Sequence, residues 1–200
     1  MAVALKSNAI ITLLELDEFL RNTIGDEDLS HTLINMASDF IDRFCNRQIL
    51  QATHTDEEHD GNNSNQIYIN NYPIVSVTHI KSYDSNSAVD LHTYTVNTEY
   101  LIYKKEGYIY MRGRTSPGHK NYRITYVGGY LIADVPYDLK SACAKLAGLV
   151  YYGKGKTGAT SETIGKYSIS YNKLISASIA GIPVPAEIAG IIFQYRNINI

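Results

Sequence analysis

The sequence predicts an α+β fold in which a small helical bundle carries an inserted antiparallel β domain. Three observations predict it: apolar residues recur at helical spacing near the N-terminus, alternate with polar residues in the middle, and return to helical spacing after Pro136. With 200 residues, the chain is long enough for a domain with a sizeable insertion. We therefore divide it into an N-terminal helix pair (1–49), a β domain (50–130) and a C-terminal part with two helices (131–200).

The N-terminal helix pair has clear start signals. Thr12 and Glu15 form a capping box, and we expect the helix that they begin to end at Gly25. In the second helix, acidic residues occupy the first turn (26–28) and Arg43 and Arg47 the last turn, which is the arrangement that the helix dipole favours. One apolar stripe at helical spacing consists of Leu29, Leu33, Met36, Ala37, Phe40, Ile41 and Phe44.

Five or six short strands are predicted in the β domain, because apolar and polar residues alternate there and turn residues separate the runs. Strands are expected at 66–70, 75–80, 94–96, 108–111 and 122–127, and turns at 60–63, 84–87, 106–107 and 116–118. Their hairpin-like spacing predicts a small antiparallel sheet or a sandwich. Seventeen tyrosines, most of them between Tyr68 and Tyr171, favour half-buried strand faces and subunit contacts.

Helical spacing returns in the C-terminal part. Pro136 suits the first turn of a helix that we expect to end near Tyr152. The next segment (153–165) is rich in Gly, Lys, Thr and Ser and is predicted to be a mobile loop, and a strand or arm is expected at 167–171. Pro183 and Pro185 introduce a last helix that reaches Tyr195, after which the chain ends in an arm.

Composition narrows the class of function. Eighteen basic and twenty acidic residues leave a formal charge of −2, which argues against a protein that grips nucleic acid by neutralising phosphates, but not against one that surrounds DNA. Cys45 and Cys143 have no metal-ligand spacing and are too few for a disulfide scaffold, so we expect buried free thiols. No signal pattern and no membrane-length apolar run is evident, so we expect a soluble protein made in the cytosol, with no membrane partner.

The histidine- and acid-rich stretch at 54–60 is the strongest candidate for a metal site. On a regular strand His54, Asp56, Glu58 and Asp60 would share one face. Neighbours on one strand face are about 7 Å apart, so the four side chains cannot converge on a single ion. We therefore predict a solvated strand face and no metal site.

No other motif indicates catalysis or a cofactor. Gly148, Gly153 and Lys154 match part of a phosphate-binding loop, but Gly155 stands where that loop needs a hydroxyl for magnesium, and the segment follows a helix where the motif follows a strand. No nucleophile elbow or Cys–His signature is present. The sequence predicts no cofactor and no enzymatic activity.

The C-terminal arm alternates isoleucine with asparagine in its last residues. Such a segment suits an extended strand that adds to the sheet edge or groove of another chain. The alternative is a frayed terminus, which is common at chain ends. The residues by themselves leave both interpretations open.

A resemblance to a known family is carried by segments that follow one another in the expected order over most of the chain. They are 12–13, 15–16 and 19–20; Asp26, Leu29, Ile34, Ala37, Ser38, Ile41, Cys45 and Arg47; and 60–61, 72–77, 124–130, 135–140 and 161–168. Together they resemble the head–tail connector family of tailed bacteriophages, also described as DNA-packaging adaptor or head completion proteins. No single segment is specific, and their ordered succession carries the resemblance.

The resemblance implies a structural virion protein at the head–tail interface, made in the cytoplasm of a host bacterium. It implies a homo-oligomeric ring of about twelve copies below the portal protein, which extends the DNA channel and docks head-closure or tail proteins. Double-stranded DNA would pass through without sequence-specific binding. The implied portal-contact residues are Tyr195, Arg196, Asn197, Ile198, Asn199 and Ile200. Lys154, Lys156, Thr157 and Lys166 belong to a loop that we expect to face the channel or a partner.

Other functions stay open because the chain departs from shorter family members in its large β region, especially at 82–110. One is a head-closure or tail-completion protein of the same particle. Another is a host-surface or carbohydrate-binding module, although such modules often present tryptophan and this chain has none. An enzyme would require Asp56, Glu58 and His59 to bind a metal ion.

Overall fold

The structure, a computed structural model, describes residues 2–84, 89–153, 161–164, 167–170, 178–179 and 181–197. The chain forms two compact units. The helical unit comprises Met1–Arg47 and Ile132–Arg196, and the β unit comprises Gln48–Leu131 and Asn197–Ile200. Helices and antiparallel sheets are both present, so the predicted α+β class is confirmed.

The described residues of the helical unit contain four helices and four short strands. The helices are α1 (Leu13–Leu20), α2 (Glu27–Cys45), α3 (Tyr137–Tyr152) and α4 (Ala186–Phe193). A short 3-10 helix precedes α3 at Ile132–Asp134. Strands β1–β7 precede α3 in the chain and belong to the β unit described below. The strands of the helical unit are β8 (Ser161–Ile164), β9 (Tyr167–Ser170), β10 (Ser178–Ile179) and β11 (Ile182–Pro183).

Helix α1 begins as predicted and ends earlier. The Thr12 backbone N–H donates to Glu15 Oε2 at 2.8 Å, and the Glu15 N–H donates to Thr12 Oγ1 at 3.3 Å, which completes the capping box. The predicted end at Gly25 is wrong. Arg21 adopts a left-handed conformation (φ 51°) and its N–H donates to the carbonyls of Asp17 and Glu18, so the helix is closed without a glycine.

Helix α2 is capped by Asp26, whose carboxylate accepts from the Leu29 N–H at 3.1 Å. It ends at Cys45 with Asn46 in a left-handed conformation, so the placement of Arg47 in its last turn is wrong. The buried surface is also wider than the predicted stripe, because Asn35 and Ser38 are buried as well. Both bind the extended N-terminal segment: Asn35 Oδ1 accepts from the Lys6 N–H at 2.9 Å, and Ser38 Oγ accepts from the Ile10 N–H at 3.0 Å.

Helix α3, like α2, contacts each of the other three helices. It contributes the buried residues Leu139, Ala142, Cys143, Ala144, Leu146, Ala147 and Gly148. A Cβ at Gly148 would lie 2.8 Å from Leu20 Cδ2, so a larger residue there would require the Leu20 side chain to shift. Cys45 and Cys143 are buried free thiols, as predicted.

The C-terminal part differs from the prediction in two places. A loop over the whole of 153–165 is wrong, because β8 pairs with β9 as an antiparallel hairpin whose ladder joins Ser161 to Ser170 and Ile164 to Tyr167. The last helix ends at Phe193, so Tyr195 lies beyond it. Residues 154–160, 165–166 and 198–200 lie outside the described part of the chain.

The β unit contains two antiparallel sheets. Its strands are β1 (Ala52–Gly61), β2 (Gln66–Tyr68), β3 (Ile74–Asp84), β4 (Val89–Thr93), β5 (Tyr100–Tyr103), β6 (Tyr108–Met111) and β7 (Gly118–Gly128). The larger sheet has the order β1-β7-β3-β4 and the smaller has the order β2-β6-β5. Strand β5 was not predicted. A strand was predicted at 94–96, but the strand in this region is β4 at residues 89–93, because these residues pair with β3.

Both sheets contribute to one buried core in the β unit, which explains why their apolar residues alternate with polar ones. The core consists of Ile67, Ile69, Ile74, Ile80, Tyr100, Ile109, Met111, Tyr122, Ile124 and Tyr126. The turn between β5 and β6 requires a glycine. Gly107 has φ +72°, and a Cβ there would lie 2.7 Å from the side chain of Tyr72.

Candidate functional site

The C-terminal segment predicted as a portal contact is bound to its own chain at two points. Tyr195 donates its hydroxyl to Asp138 Oδ1 at 2.7 Å within the helical unit. Asn197 belongs to the β unit, where it is only 3 % exposed and donates its side-chain amide to the Asn70 carbonyl at 3.1 Å. Arg196 is exposed between them. Ile198, Asn199 and Ile200, which complete the predicted contact, lie outside the described residues.

The predicted channel-facing or partner-facing residues cannot be compared with the structure. Lys154, Lys156, Thr157 and Lys166 all lie outside the described ranges. The described residues on either side of them are the end of α3 and the β8–β9 hairpin.

The stretch at 54–60 is a bulged strand with two different faces. The register of β1 against β7 shifts between His54 and Glu57, and Asp56 has φ +50°. A bulge inserts one extra residue and reverses the alternation beyond it. Half-buried His54 is therefore followed by half-buried Glu57 and His59, and the prediction that His54 shares a face with Glu58 and Asp60 is wrong.

The exposed acids of β1 are paired with bases of the neighbouring strand β7. Glu58 lies 3.0 Å from the Lys120 ammonium, and Asp60 lies 3.1 Å from the His119 ring. Hydrogen bonds from the Lys120 backbone N–H and the His119 side chain hold the pKa of Asp60 below its usual value. Within the described ranges, no group of three or more His, Cys, Asp or Glu side chains is placed to hold a metal ion.

The half-buried acid Glu57 lies in a polar network that the sequence did not reveal. Its carboxylate accepts from the Tyr126 hydroxyl at 2.8 Å, from His59 Nε2 at 2.8 Å and from the Asn70 N–H at 3.4 Å. Burial alone would raise the pKa of Glu57, but the hydrogen bonds from His59 and Tyr126 outweigh it and lower the pKa. Burial, together with the Glu57 charge, raises the pKa of Tyr126. Glu57 is therefore an acceptor and Tyr126 a donor at neutral pH.

This network holds the segment at Asn70 and Asn71. Asn71 donates its backbone N–H to the Tyr126 hydroxyl at 3.1 Å, and its side-chain oxygen accepts from the Gln48 N–H at 2.7 Å. Asn70 accepts from Asn197 through its carbonyl. Gln48 and Asn197 are the first residues of the two chain segments that make up the β unit, so each segment begins with a bond to this pair of asparagines. In the sequence, this segment is marked only by the turn-forming residues Asn70 and Asn71, which come shortly before Pro73.

A row of tyrosines crosses the smaller sheet on the side opposite its isoleucines. Tyr68, Tyr108 and Tyr103 are registered partners on three adjacent strands. The ring centroids of Tyr103 and Tyr108 are 4.4 Å apart at an interplanar angle of 11°, and those of Tyr68 and Tyr108 are 5.7 Å apart. The Tyr103 and Tyr108 rings are therefore stacked on one another, whereas Tyr68 is tilted against Tyr108 at 45°.

Comparison with known families gives a decisive match. A family model described as "Head completion protein" matches residues 9–198. The chain belongs to the head completion protein family. The resemblance predicted from the ordered segments is thereby confirmed, and the chain is a structural protein of the head–tail region of a phage particle. The family is a structural class and not a class of enzymes.

Solved structures with the same fold come from gene transfer agent particles. The first is the neck of the empty particle computed with C6 symmetry (TM-score 0.54, 15% identity, 100% of this chain and 94% of that chain). The second is the virion of the native particle, and the third the neck of the native particle computed with C12 symmetry. Both have TM-scores of 0.53 and cover 100% of this chain and 96% of the other, at 15% and 14% identity respectively. At these identities the likeness concerns the fold alone.

A search of curated proteins finds no match. Within the described part of the chain, no helix combines the length and apolarity needed to cross a membrane.

Proposed function

We propose that the protein is a head–tail connector subunit, which forms a homo-oligomeric ring below the portal, extends the DNA channel and docks tail or head-closure proteins. The observation that carries this proposal is the head completion family match over residues 9–198. It is supported by the fold that the chain shares with proteins of particle necks computed with sixfold and twelvefold symmetry. The formal charge of −2 suits a passage, because a strongly basic lumen would retain the DNA.

The portal contact is proposed to lie in the C-terminal segment 195–200. Tyr195 and Asn197 already bind their own chain, so they position the segment. Arg196 is exposed and, with residues 198–200, supplies the groups that reach the portal. In the same proposal, Lys154, Lys156, Thr157 and Lys166 face the channel or a partner.

Negative-stain electron microscopy of the protein mixed with the portal from the same genome tests this function. We expect a ring on the narrow end of the portal. A variant with 198–200 replaced by Gly-Ser-Gly keeps the chain length and should lose docking, whereas an exposed substitution such as Gln194→Ala should not. Failure of the wild-type protein to form a ring on the portal refutes the connector function. Binding to purified tails alone would favour a head-closure or tail-completion protein.

A further inference from the structure

The strands of the smaller sheet of the β unit carry uncharged side chains on their outer side, and the charged β5–β6 turn (104–106) borders them. We define the tyrosine face as two registered rows across β2, β6 and β5. These rows are Tyr68, Tyr108 and Tyr103, and Gln66, Tyr110 and Leu101. Their neighbours along the strands, Ile67 and Ile109, are buried in the core, so the six side chains point to the other side. Tyr68 is 43 % exposed and Tyr103 is 40 % exposed.

The composition and rigidity of this face are those of a protein contact. Interface centres are enriched in tyrosine and depleted of charge, and no residue of the tyrosine face is charged, whereas 19% of the whole chain is. Stacking of Tyr103 on Tyr108 and the hydrogen bond from the Tyr68 hydroxyl to Gln66 Oε1 at 3.0 Å restrict the rings. Side chains that are already ordered lose little entropy on binding.

The position of the C-terminal segment indicates which partner meets this face. Asn197 is bonded to the Asn70 carbonyl, and Asn70 follows Tyr68 by only two residues. The backbone between them continues alongside the β5–β6 turn, because the Ile69 N–H donates to the Gly107 carbonyl at 2.9 Å. Asn197, the last described residue of the segment proposed to bind the portal, is therefore held close to the Tyr68–Tyr108–Tyr103 row. A protein that binds the segment is within reach of the face.

The size of the face argues against pairing of two isolated copies. A tyrosine side chain buries roughly 150–250 Å², so two rings that are about 40 % exposed offer on the order of 60–100 Å² each. Even with the half-buried members, the face supplies less than the ~800 Å² per partner that a stable pair requires. In a ring, every subunit carries the face. Several small contacts that form together bind a partner more tightly than one such contact alone.

We propose that the tyrosine face is a second part of the portal contact, which docks against an uncharged, hydrogen-bonding surface of the ring that receives the C-terminal segment. This inference rests on the proposed connector function. Since the face carries no charge, its contribution to binding should depend little on salt, unlike a contact between charged patches.

The test compares matched double variants for binding to purified portal rings from the same genome. Tyr68→Thr/Tyr103→Thr removes two exposed rings while keeping residues that favour strands. Val75→Thr/Leu91→Thr is the control, because it changes two exposed strand residues outside the face. Circular dichroism spectra that match the wild type establish that each variant folds. A third variant, Tyr68→Phe/Tyr103→Phe, keeps the rings and removes only the hydroxyls.

Co-sedimentation with portal rings at about 0.1 M and about 1 M NaCl supplies the readout. We expect the Thr/Thr face variant to bind at least about tenfold more weakly than the control, at both salt concentrations. We expect the Phe/Phe variant to lie between the face variant and the wild type. Equal binding of the Thr/Thr variant and the control, or a loss that disappears at high salt, overturns the inference while leaving the connector function intact. Absence of wild-type binding overturns the connector function itself.

Discussion

Substitution of Tyr126 by phenylalanine should destabilise the β unit strongly for so small a change. Tyr126 is fully buried (0 % exposed), and its hydroxyl donates to Glu57 and accepts from the Asn71 N–H. A hydrogen bond to a charged group contributes about 1.5–3 kcal/mol, and leaving a buried donor unsatisfied costs about 1–3 kcal/mol. The ring itself keeps its packing. Because the two costs overlap in one network, we expect a loss of ~2–4 kcal/mol in the free energy of unfolding.

The assay is urea unfolding followed by circular dichroism, with Tyr68→Phe as the control. The Tyr68 hydroxyl bonds to Gln66 at an exposed site, so its removal should change stability by less than ~0.5 kcal/mol. Since two units can unfold separately, amide hydrogen exchange of Ile124 and neighbouring β7 residues provides the unit-specific measurement. A change below ~0.5 kcal/mol for Tyr126→Phe would refute the assignment of a stabilising network.

The same network predicts a pH dependence. The pKa of Glu57 is lowered from its ordinary value of 4.5, so its contribution is present above that value and is lost as the pH falls through the lower folded-state pKa. Tyr126→Phe removes one of the hydrogen bonds that lower the pKa. The stability of the variant should therefore fall less steeply below about pH 4.5 than that of the wild type. Parallel curves for the two proteins would contradict this coupling.

Three further substitutions or reactions follow from the described geometry. Gly107→Ala should destabilise the β unit by about 1–3 kcal/mol, because φ is positive and the new Cβ would meet Tyr72, whereas Gly113→Ala has open space and should be nearly neutral in thermal unfolding. Asn197→Ala should leave the circular dichroism spectrum unchanged but increase proteolysis near the C-terminus, because the bond to Asn70 is lost. Burial raises the pKa of both cysteines to about 12, so at pH 8 a thiol reagent should label them only after unfolding.

Each of these expectations has a contradicting result. A Gly107→Ala protein as stable as Gly113→Ala would show that the turn tolerates a side chain. Unchanged proteolysis of Asn197→Ala, compared with Gln194→Ala as a matched exposed variant, would show that Asn197 does not hold the segment. Rapid labelling of native protein would show that the thiols are accessible.

Local signals predicted the helix starts well and the ends of α1, α2 and α4 less well. The capping box at Thr12 involves residues three apart, so it can be read from neighbours alone. The end of α1 depended on which residue adopts a left-handed conformation. Arg21 does so before the chain reaches Gly25, and its N–H bonds to two carbonyls of the preceding turn. Glycine is only the residue that reaches that conformation most easily.

In the acidic strand β1, the alternation of side chains along the sequence did not predict which residues share a face. Sequence predicted that His54, Glu58 and Asp60 would share a face, because side chains alternate with period two. The bulge at Asp56 reversed that order, and it arises in the pairing of β1 with β7, some seventy residues away. The Glu57 network depends on the same pairing, since Tyr126 lies on β7. No window of neighbouring residues contains both partners.

The sequence by itself determined the α+β class, the helix starts, the two buried thiols and membership of the head completion family, because these depend on local periodicity, capping and the order of segments. Only the tertiary structure decided the bulge in β1, the network around Glu57, the bond of Asn197 to Asn70 and the tyrosine face. Each of these joins residues from different strands or from distant parts of the chain. Such contacts depend on strand register, and a shift of one residue would move every side chain to the opposite face.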